Sequence, residues 1–202
     1  MDKPSLLLAT TNPGKAKEFR TCLRTLPFEI ISLEEIGLTQ SFPEEGDTFL
    51  ANARGKSLFY SRRWKGLTVA EDSGLEVRHL DGSPGVYSAR FAGPQATDAQ
   101  NNSKVLALLS GIPAEKRQAR FVSCLVLARE GTIIKEIQED VEGLILFEPR
   151  GSEGFGYDPI FFFPPLNKSF GELNPEEKNR VSHRGKALQK LKSFLLGLSA
   201  RT

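Results

Sequence analysis

The sequence predicts an α/β protein with one core and two lobes, and three observations predict it. At 202 residues the chain is long for one simple domain and short for two independent ones. Short apolar, strand-like runs alternate with amphipathic helical patterns through the first half. Further on, two long β-rich runs, Ala119 to Arg129 and Thr132 to Phe147, meet at Glu130-Gly131 as a hairpin. No repeat, low-complexity segment or linker divides the chain, so residues 1–202 are read as a single domain.

Ser5 to Ala9, with three consecutive leucines, fits a buried central strand. The polar loop Thr10-Thr11-Asn12-Pro13-Gly14-Lys15 follows, and then a helix over Lys15 to Leu26 that presents Phe19, Cys22, Leu23 and Leu26 on one face. Strand, small polar loop and helix is an arrangement in which backbone N–H groups hold phosphate oxygens, and equally a plain βα turn. The P-loop spacing is absent. Phe28 to Leu33 reads as a second strand. Asp47 is placed to cap a helix from about Thr48 to Arg62, on which Asn52 and Lys56 share a face just after Glu44 and Glu45.

Leu67 to Ala70 leads into Glu71 and Asp72, read as an acid pair at a strand end, with Ser73-Gly74 behind it. Buried carboxylates are costly unless a cation faces them, so this pair asks for a metal or a positively charged substrate complex. A turn at Asp81-Gly82 and a Ser83-Pro84-Gly85 loop precede Tyr87 to Phe91. Thr97 to Gln100 is a capping box that starts a helix read as scaffold. In Gly151 to Pro159, glycines on both sides of Phe155 allow an aromatic to be presented from an unusual backbone, as a platform for a flat base or as a packed turn. Ile160 to Phe163 is a buried strand. Asn174, Pro175 and Glu177 start a helix carrying Lys178, and a last helix runs from about Gly185 to Leu198, with His183 and Arg184 at the break. His79 is read as structural.

Hydrophobic content of 39%, charge of 26% and a formal net charge of +2 are ordinary for a soluble protein and ask for no polyanionic partner, so nucleic acid is not expected. Cys22 and Cys124, far apart and inside apolar elements, read as reduced thiols of an intracellular protein. The N-terminal apolar run is too short for a signal sequence or a membrane span, so the expected location is the cytoplasm, with no membrane partner.

Together, TTNPGK, the Glu44 region with Asn52 and Lys56, EDSG, SPGVYSARFAG, GFGYDP, and Lys178 with SHRG occur in order over essentially the whole chain. In this the sequence resembles the pyrophosphatases of noncanonical purine nucleoside triphosphates, the inosine triphosphate pyrophosphatase (RdgB/ITPase) family. The resemblance implies a mixed α/β fold: a twisted central sheet flanked by helices, two lobes with a substrate cleft between them, and a homodimer. It also implies Mg²⁺-dependent hydrolysis of dITP, ITP and XTP to the monophosphate and pyrophosphate. Carried onto this chain, Thr10, Thr11, Asn12, Pro13, Gly14 and Lys15 hold the triphosphate, and Lys56 and Lys178 neutralise it. Glu44 and Asp72 serve the metal, with Glu71 an alternative, and Asp72 is also the base for the attacking water. Ser73, Phe155, Gly156, Tyr157, Asp158, His183 and Arg184 receive the nucleoside. Hydrogen-bond donors on His183 and Arg184 would favour a 6-oxo purine over adenine. Three positions depart from the family's usual pattern: Ala51 in place of an acid, Thr11 in place of a glycine, and Glu71 in place of an aspartate. Two competing readings are a pyrophosphatase for other modified nucleotides on the same fold and a nucleotide-binding module without turnover.

Overall fold

The computed structural model describes residues 3–199. Its regular elements are, in order, β1 (Ser5–Ala9), α1 (Pro13–Leu23), β2 (Glu29–Ser32), α2 (Phe49–Ser61), β3 (Leu67–Val77) and α3 (Asp98–Leu108). There follow β4 (Gln118–Arg129), β5 (Thr132–Ile145), β6 (Phe161–Phe163), β7 (Lys168–Ser169), α4 (Pro175–Val181) and α5 (His183–Ser199). Among the described residues the strands form one seven-stranded sheet in the order β2-β1-β3-β4-β5-β6-β7. β1 runs parallel to β2 and β3, whereas β5, β6 and β7 pair antiparallel, so the sheet is mixed as expected. No described helix is long and apolar enough to cross a membrane.

The chain divides into two compact units. The first holds the residues up to Asp72, Ser123–Glu139 and the chain from Arg184. In it the period-2 alternation of a strand decides which helix each β1 side chain meets. Leu6 and Leu8 pack with Phe19 and Leu23 of α1 and with Leu188 and Leu191 of α5. Leu7 and Ala9 point the other way, toward Leu33 and Tyr60 of α2. Burial on both faces is why β1 reads as an unbroken apolar run.

The second unit holds Ser73–Val122 and Asp140–His183. Leu75, Val77, Val105 and Tyr157 pack there around an aromatic group in which the Phe121 ring lies 4.5 Å from that of Phe161 and 5.9 Å from that of Phe170. Arg117, only 2% exposed, donates from its guanidinium to the carbonyls of Leu109, Ile145 and Leu146, clipping three chain segments together without any carboxylate.

The expected hairpin is present, and Glu130 (φ +48°) and Gly131 (φ +79°) give its two-residue turn the positive φ pair that matches strand twist. The capping boxes at Thr97/Gln100 and Asn174/Glu177 form as read. Other boundaries differ. Thr48, not Asp47, caps α2, its hydroxyl accepting from Ala51 N at 3.1 Å. The helix α1 begins at Pro13 and stops at Leu23, while α5 begins at His183, two residues earlier than expected. Most consequential, β3 does not end at the acid pair but continues to Val77, placing Glu71 and Asp72 in mid-strand. Local composition hides this, because two acids interrupt the apolar run, whereas the strand stays paired between β1 and β4.

Candidate active site

Because Glu71 and Asp72 are consecutive in a strand, their side chains leave opposite faces. Glu71 follows Val69 toward the α1 and α5 side. There it accepts hydrogen bonds from Ser123 Oγ (2.7 Å) and Arg184 Nε (2.8 Å), and Lys15 Nζ lies 3.2 Å away. Arg184 Nη1 continues to Glu18 Oε2 at 2.6 Å. These groups are nearly waterless: Glu71 is 1% exposed and Arg184 3%. Burial by itself lowers the pKa of the Arg184 guanidinium, but Glu71 and Glu18 outweigh it and hold it above its ordinary value.

Asp72 emerges on the α2 side, where Asn52 Nδ2 donates to its Oδ2 at 2.9 Å. The Asn52 oxygen accepts from Gly46 N at 2.8 Å, so one amide ties the acid to the loop carrying Glu44. A Cβ at position 46 would stand 2.7 Å from that oxygen and displace it. Lys56, one turn after Asn52, forms an ion pair with Glu44 and donates to the Glu71 carbonyl at 3.3 Å. Burial raises the Asp72 pKa above its ordinary value. Lys15 opposes the rise, Glu44 adds to it, and Asn52 and Lys56 oppose it in turn.

The residues that the sequence suggests for phosphate binding lead into α1, which begins at Pro13. Thr10 Oγ1 accepts from Asn12 N at 3.2 Å, and Asn12 Oδ1 caps the helix by accepting from Lys15 N at 3.0 Å. Pro13 occupies the first turn, where no N–H is missed. Thr11 and Asn12 are exposed, and Gly14 is half-buried.

In the second unit, Gly154 (φ +77°) and Gly156 (φ +63°) bracket Phe155 as the sequence suggested. A Cβ on Gly154 would collide with the Asp158 carboxylate. Asp158, 2% exposed, accepts from Phe155 N at 2.8 Å and from Lys178 Nζ at 2.6 Å. The same ammonium lies 4.7 Å from the centroid of the half-buried Phe155 ring, a cation–π distance. Tyr157 is buried in the unit's core and donates to the Ser88 carbonyl at 2.8 Å, so it anchors the loop rather than facing solvent. Ser88 itself accepts from Leu75 N and donates to Gly85 O, which makes it a backbone brace. His183 is buried and stacks on Phe121 with centroids 4.7 Å apart. Ser73 is half-buried in β3.

The first unit therefore gathers Lys15, Glu44, Lys56, Glu71, Asp72 and Arg184, and the second gathers Phe155, Gly156, Tyr157, Asp158 and Lys178. The sequence reading had not identified Glu18 or Ser123. The three-residue spacing of Glu18 from Lys15 puts both on one helix face, a signal available in the sequence. Ser123 carries none, because its role arises from pairing two distant strands.

A family model described as the Ham1 family matches residues 6–194. The chain belongs to the Ham1 family. Among Ham1 relatives, a protein of Thermoanaerobacter sp. (strain X514) named dITP/XTP pyrophosphatase is 46% identical over 192 residues, spanning 95% of this chain and 96% of its own length. One of Bacillus subtilis (strain 168) with the same name is 46% identical over 189 residues, spanning 94% and 96%. The fold agrees with that of a solved HAM1 protein from Coxiella burnetii, with a TM-score of 0.88 at 37% identity over 96% of this chain and 99% of that one.

Proposed function

We propose that this Ham1 protein hydrolyses deaminated purine nucleoside triphosphates, dITP, ITP and XTP, to the nucleoside monophosphate and pyrophosphate. Its full-length similarity to dITP/XTP pyrophosphatases supports the activity. The observation that carries the mechanism is Asp72: a buried carboxylate of raised pKa, oriented by Asn52 and surrounded by Lys15, Lys56 and Glu44.

A water aimed in line at the α-phosphorus gives its proton to Asp72 while its oxygen bonds to phosphorus and the α–β anhydride bond breaks. Lys15 and Lys56 neutralise the departing pyrophosphate, and the N–H groups at the start of α1 hold its oxygens. The donor set fits Mg²⁺. Among the described residues no group of three or more His, Cys, Asp or Glu side chains could hold a metal. Mg²⁺, however, typically takes one or two protein carboxylates and completes its shell with water and phosphate. Glu44 and Asp72 would hold it; Glu71, already engaged by Arg184, Ser123 and Lys15, is the lesser choice. When bound, the ion neutralises phosphate charge as a Lewis acid.

The base is met by the Phe155 face, with Lys178 beside it. His183 and Ser73, in the same unit, are further contacts for the nucleoside in this proposal. Arg184 acts first as the group that holds Glu71, since reaching a base would mean giving up an ion pair. The family resemblance adds a homodimer acting in the cytoplasm, and light scattering on the purified protein checks the dimer.

The deciding experiment is pyrophosphate release from dITP, XTP, dATP, dGTP, dUTP and dTTP, each with and without Mg²⁺. Preference for dITP and XTP that disappears with EDTA is expected. Preference for a pyrimidine, or no turnover of any substrate, would overturn the reading.

A further inference from the structure

The helix α3 was read as scaffold, and its apolar residues do serve the core, yet two of its polar side chains converge on one glycine of the Phe155 loop. Asp98 Oδ2 accepts from Gly156 N at 2.6 Å, and Asn102 Nδ2 donates to Gly156 O at 3.1 Å. Residues four apart on a helix share a face, so Asp98 and Asn102 form a two-pronged grip. The Gly156 N–H belongs to the peptide plane shared with Phe155, and its C=O to the plane shared with Tyr157. Holding both fixes the two rotations about Gly156 Cα, at the residue type that resists rotation least.

The grip stands on a fixed base. The Thr97/Gln100 capping box closes the N-terminus of α3. On its neighbouring side, Asn101 accepts from Ala92 N (2.8 Å) and donates to Ala89 O (3.2 Å), and Lys104 donates to Phe91 O at 2.6 Å. Packing does not ask for an asparagine at position 102, which is 6% exposed. Its Oδ1 has no hydrogen-bond partner among the described residues, so the amide is placed there for its donor.

We infer that Asp98 and Asn102 are positioning residues for base recognition: by locking Gly156 they set the plane of the Phe155 ring, and with it the discrimination between 6-oxo and 6-amino purines. The inference rests on the proposal that Phe155 meets the base. Losing one prong leaves Lys15, Lys56 and Asp72 untouched, so the effect falls on binding of the correct base and not on the chemical step.

The test measures kcat and KM for dITP and dATP in the wild type, Asn102→Asp, Asp98→Ala, Asp98→Asn and Phe155→Ala, with thermal unfolding of each. Asn102→Asp sets a carboxylate against the Gly156 carbonyl at nearly unchanged volume, and Asp98→Ala removes the acceptor at an exposed position in the first turn of α3, where the thermal unfolding reads any cost to the fold. Both are expected to raise KM for dITP about tenfold with kcat within about twofold, and to lower the dITP/dATP ratio of kcat/KM by a similar factor. Asp98→Asn, whose amide oxygen still accepts, is expected to restore wild-type values. Loss of kcat with an unchanged ratio would assign α3 a merely structural role and overturn the inference. An unchanged ratio in both prong variants, with an altered one in Phe155→Ala, would overturn the grip alone; an unchanged ratio in Phe155→Ala would remove the base reading and the inference together. Should Asn102→Asp fail to fold, the Asp98 pair decides.

Discussion

The first unit fixes its candidate side chains through ion pairs, and the second fixes its aromatic ring through hydrogen bonds to the backbone. Around Glu71 and Asp72, each carboxylate is held by cations and amides borne on regular elements, and the neighbouring charges shift both Asp72 and Arg184. Around Phe155, the chain is irregular, and hydrogen bonds to main-chain atoms of residues 155 and 156, with the tethered hydroxyl of Tyr157, decide where one ring points. The contrast matches the two tasks that the proposed function assigns. A triphosphate is recognised by field, which tolerates small shifts but requires opposite charge nearby. A flat base is recognised by shape and edge, which requires a rigid platform.

The largest expected effect breaks the charge region at its centre. Asp72→Asn should lower pyrophosphate release from dITP by about a thousandfold, within the range assigned to a positioned acid–base group, with the fold intact. The same substitution should hold or raise Tm at pH 7 in EDTA. Burial raises the folded pKa of Asp72, so its neutral form favours the fold below the unfolded value of 3.8, and that contribution is lost as pH rises through the folded pKa. A neutral amide escapes this loss, and a melting series in pH on both proteins reads it directly.

Next in size, Glu71→Gln should cost about 3–5 kcal/mol in urea unfolding, because it leaves Arg184 buried beside half its counter-charge. A cost this large separates Glu71, which organises Lys15 and Arg184, from Asp72, whose charged form is disfavoured by burial. On the backbone-fixed side, Asn174→Ala removes the cap of the helix that carries Lys178. It should cost about 1 kcal/mol and raise KM for dITP while leaving kcat near wild type.

The smallest effect lies outside both regions. Glu35 is held down to about 2, first by the Ser32 backbone N–H and then by the Ser32 and Arg20 side chains. A depressed carboxylate stabilises the fold above its unfolded pKa of 4.5 and loses that contribution as pH falls through about 2. Glu35→Gln should therefore be slightly less stable than wild type at pH 6 and indistinguishable from it near pH 2, measured by thermal melts across that range.

How much of this was legible in the sequence varies by element. The apolar run of β1, the Glu130-Gly131 turn and the capping boxes at Thr97 and Asn174 are local devices, and neighbouring residues suffice to specify them. Glycines on both sides of Phe155 announced an unusual loop for the same reason. The opposed faces of Glu71 and Asp72 were missed because the strand was read as ending where apolar residues stop. It continues because β3 is paired in the sheet between β1 and β4, and the partners of its two acids, Ser123, Arg184 and Asn52, lie far away in the chain. Arg184 read as a donor to the base from its motif, and only packing revealed Glu18 and Glu71 as its partners.

By itself the sequence determined the residue types that the chemistry uses, their order along the chain and the local turns and caps that begin each element, since short-range sterics and hydrogen bonding set these. Tertiary structure decided which carboxylate is sequestered by an arginine and which is left to an asparagine, and which helix grips Gly156. Those choices depend on burial and on contacts between residues distant in sequence, where desolvation makes each polar group's partner decisive.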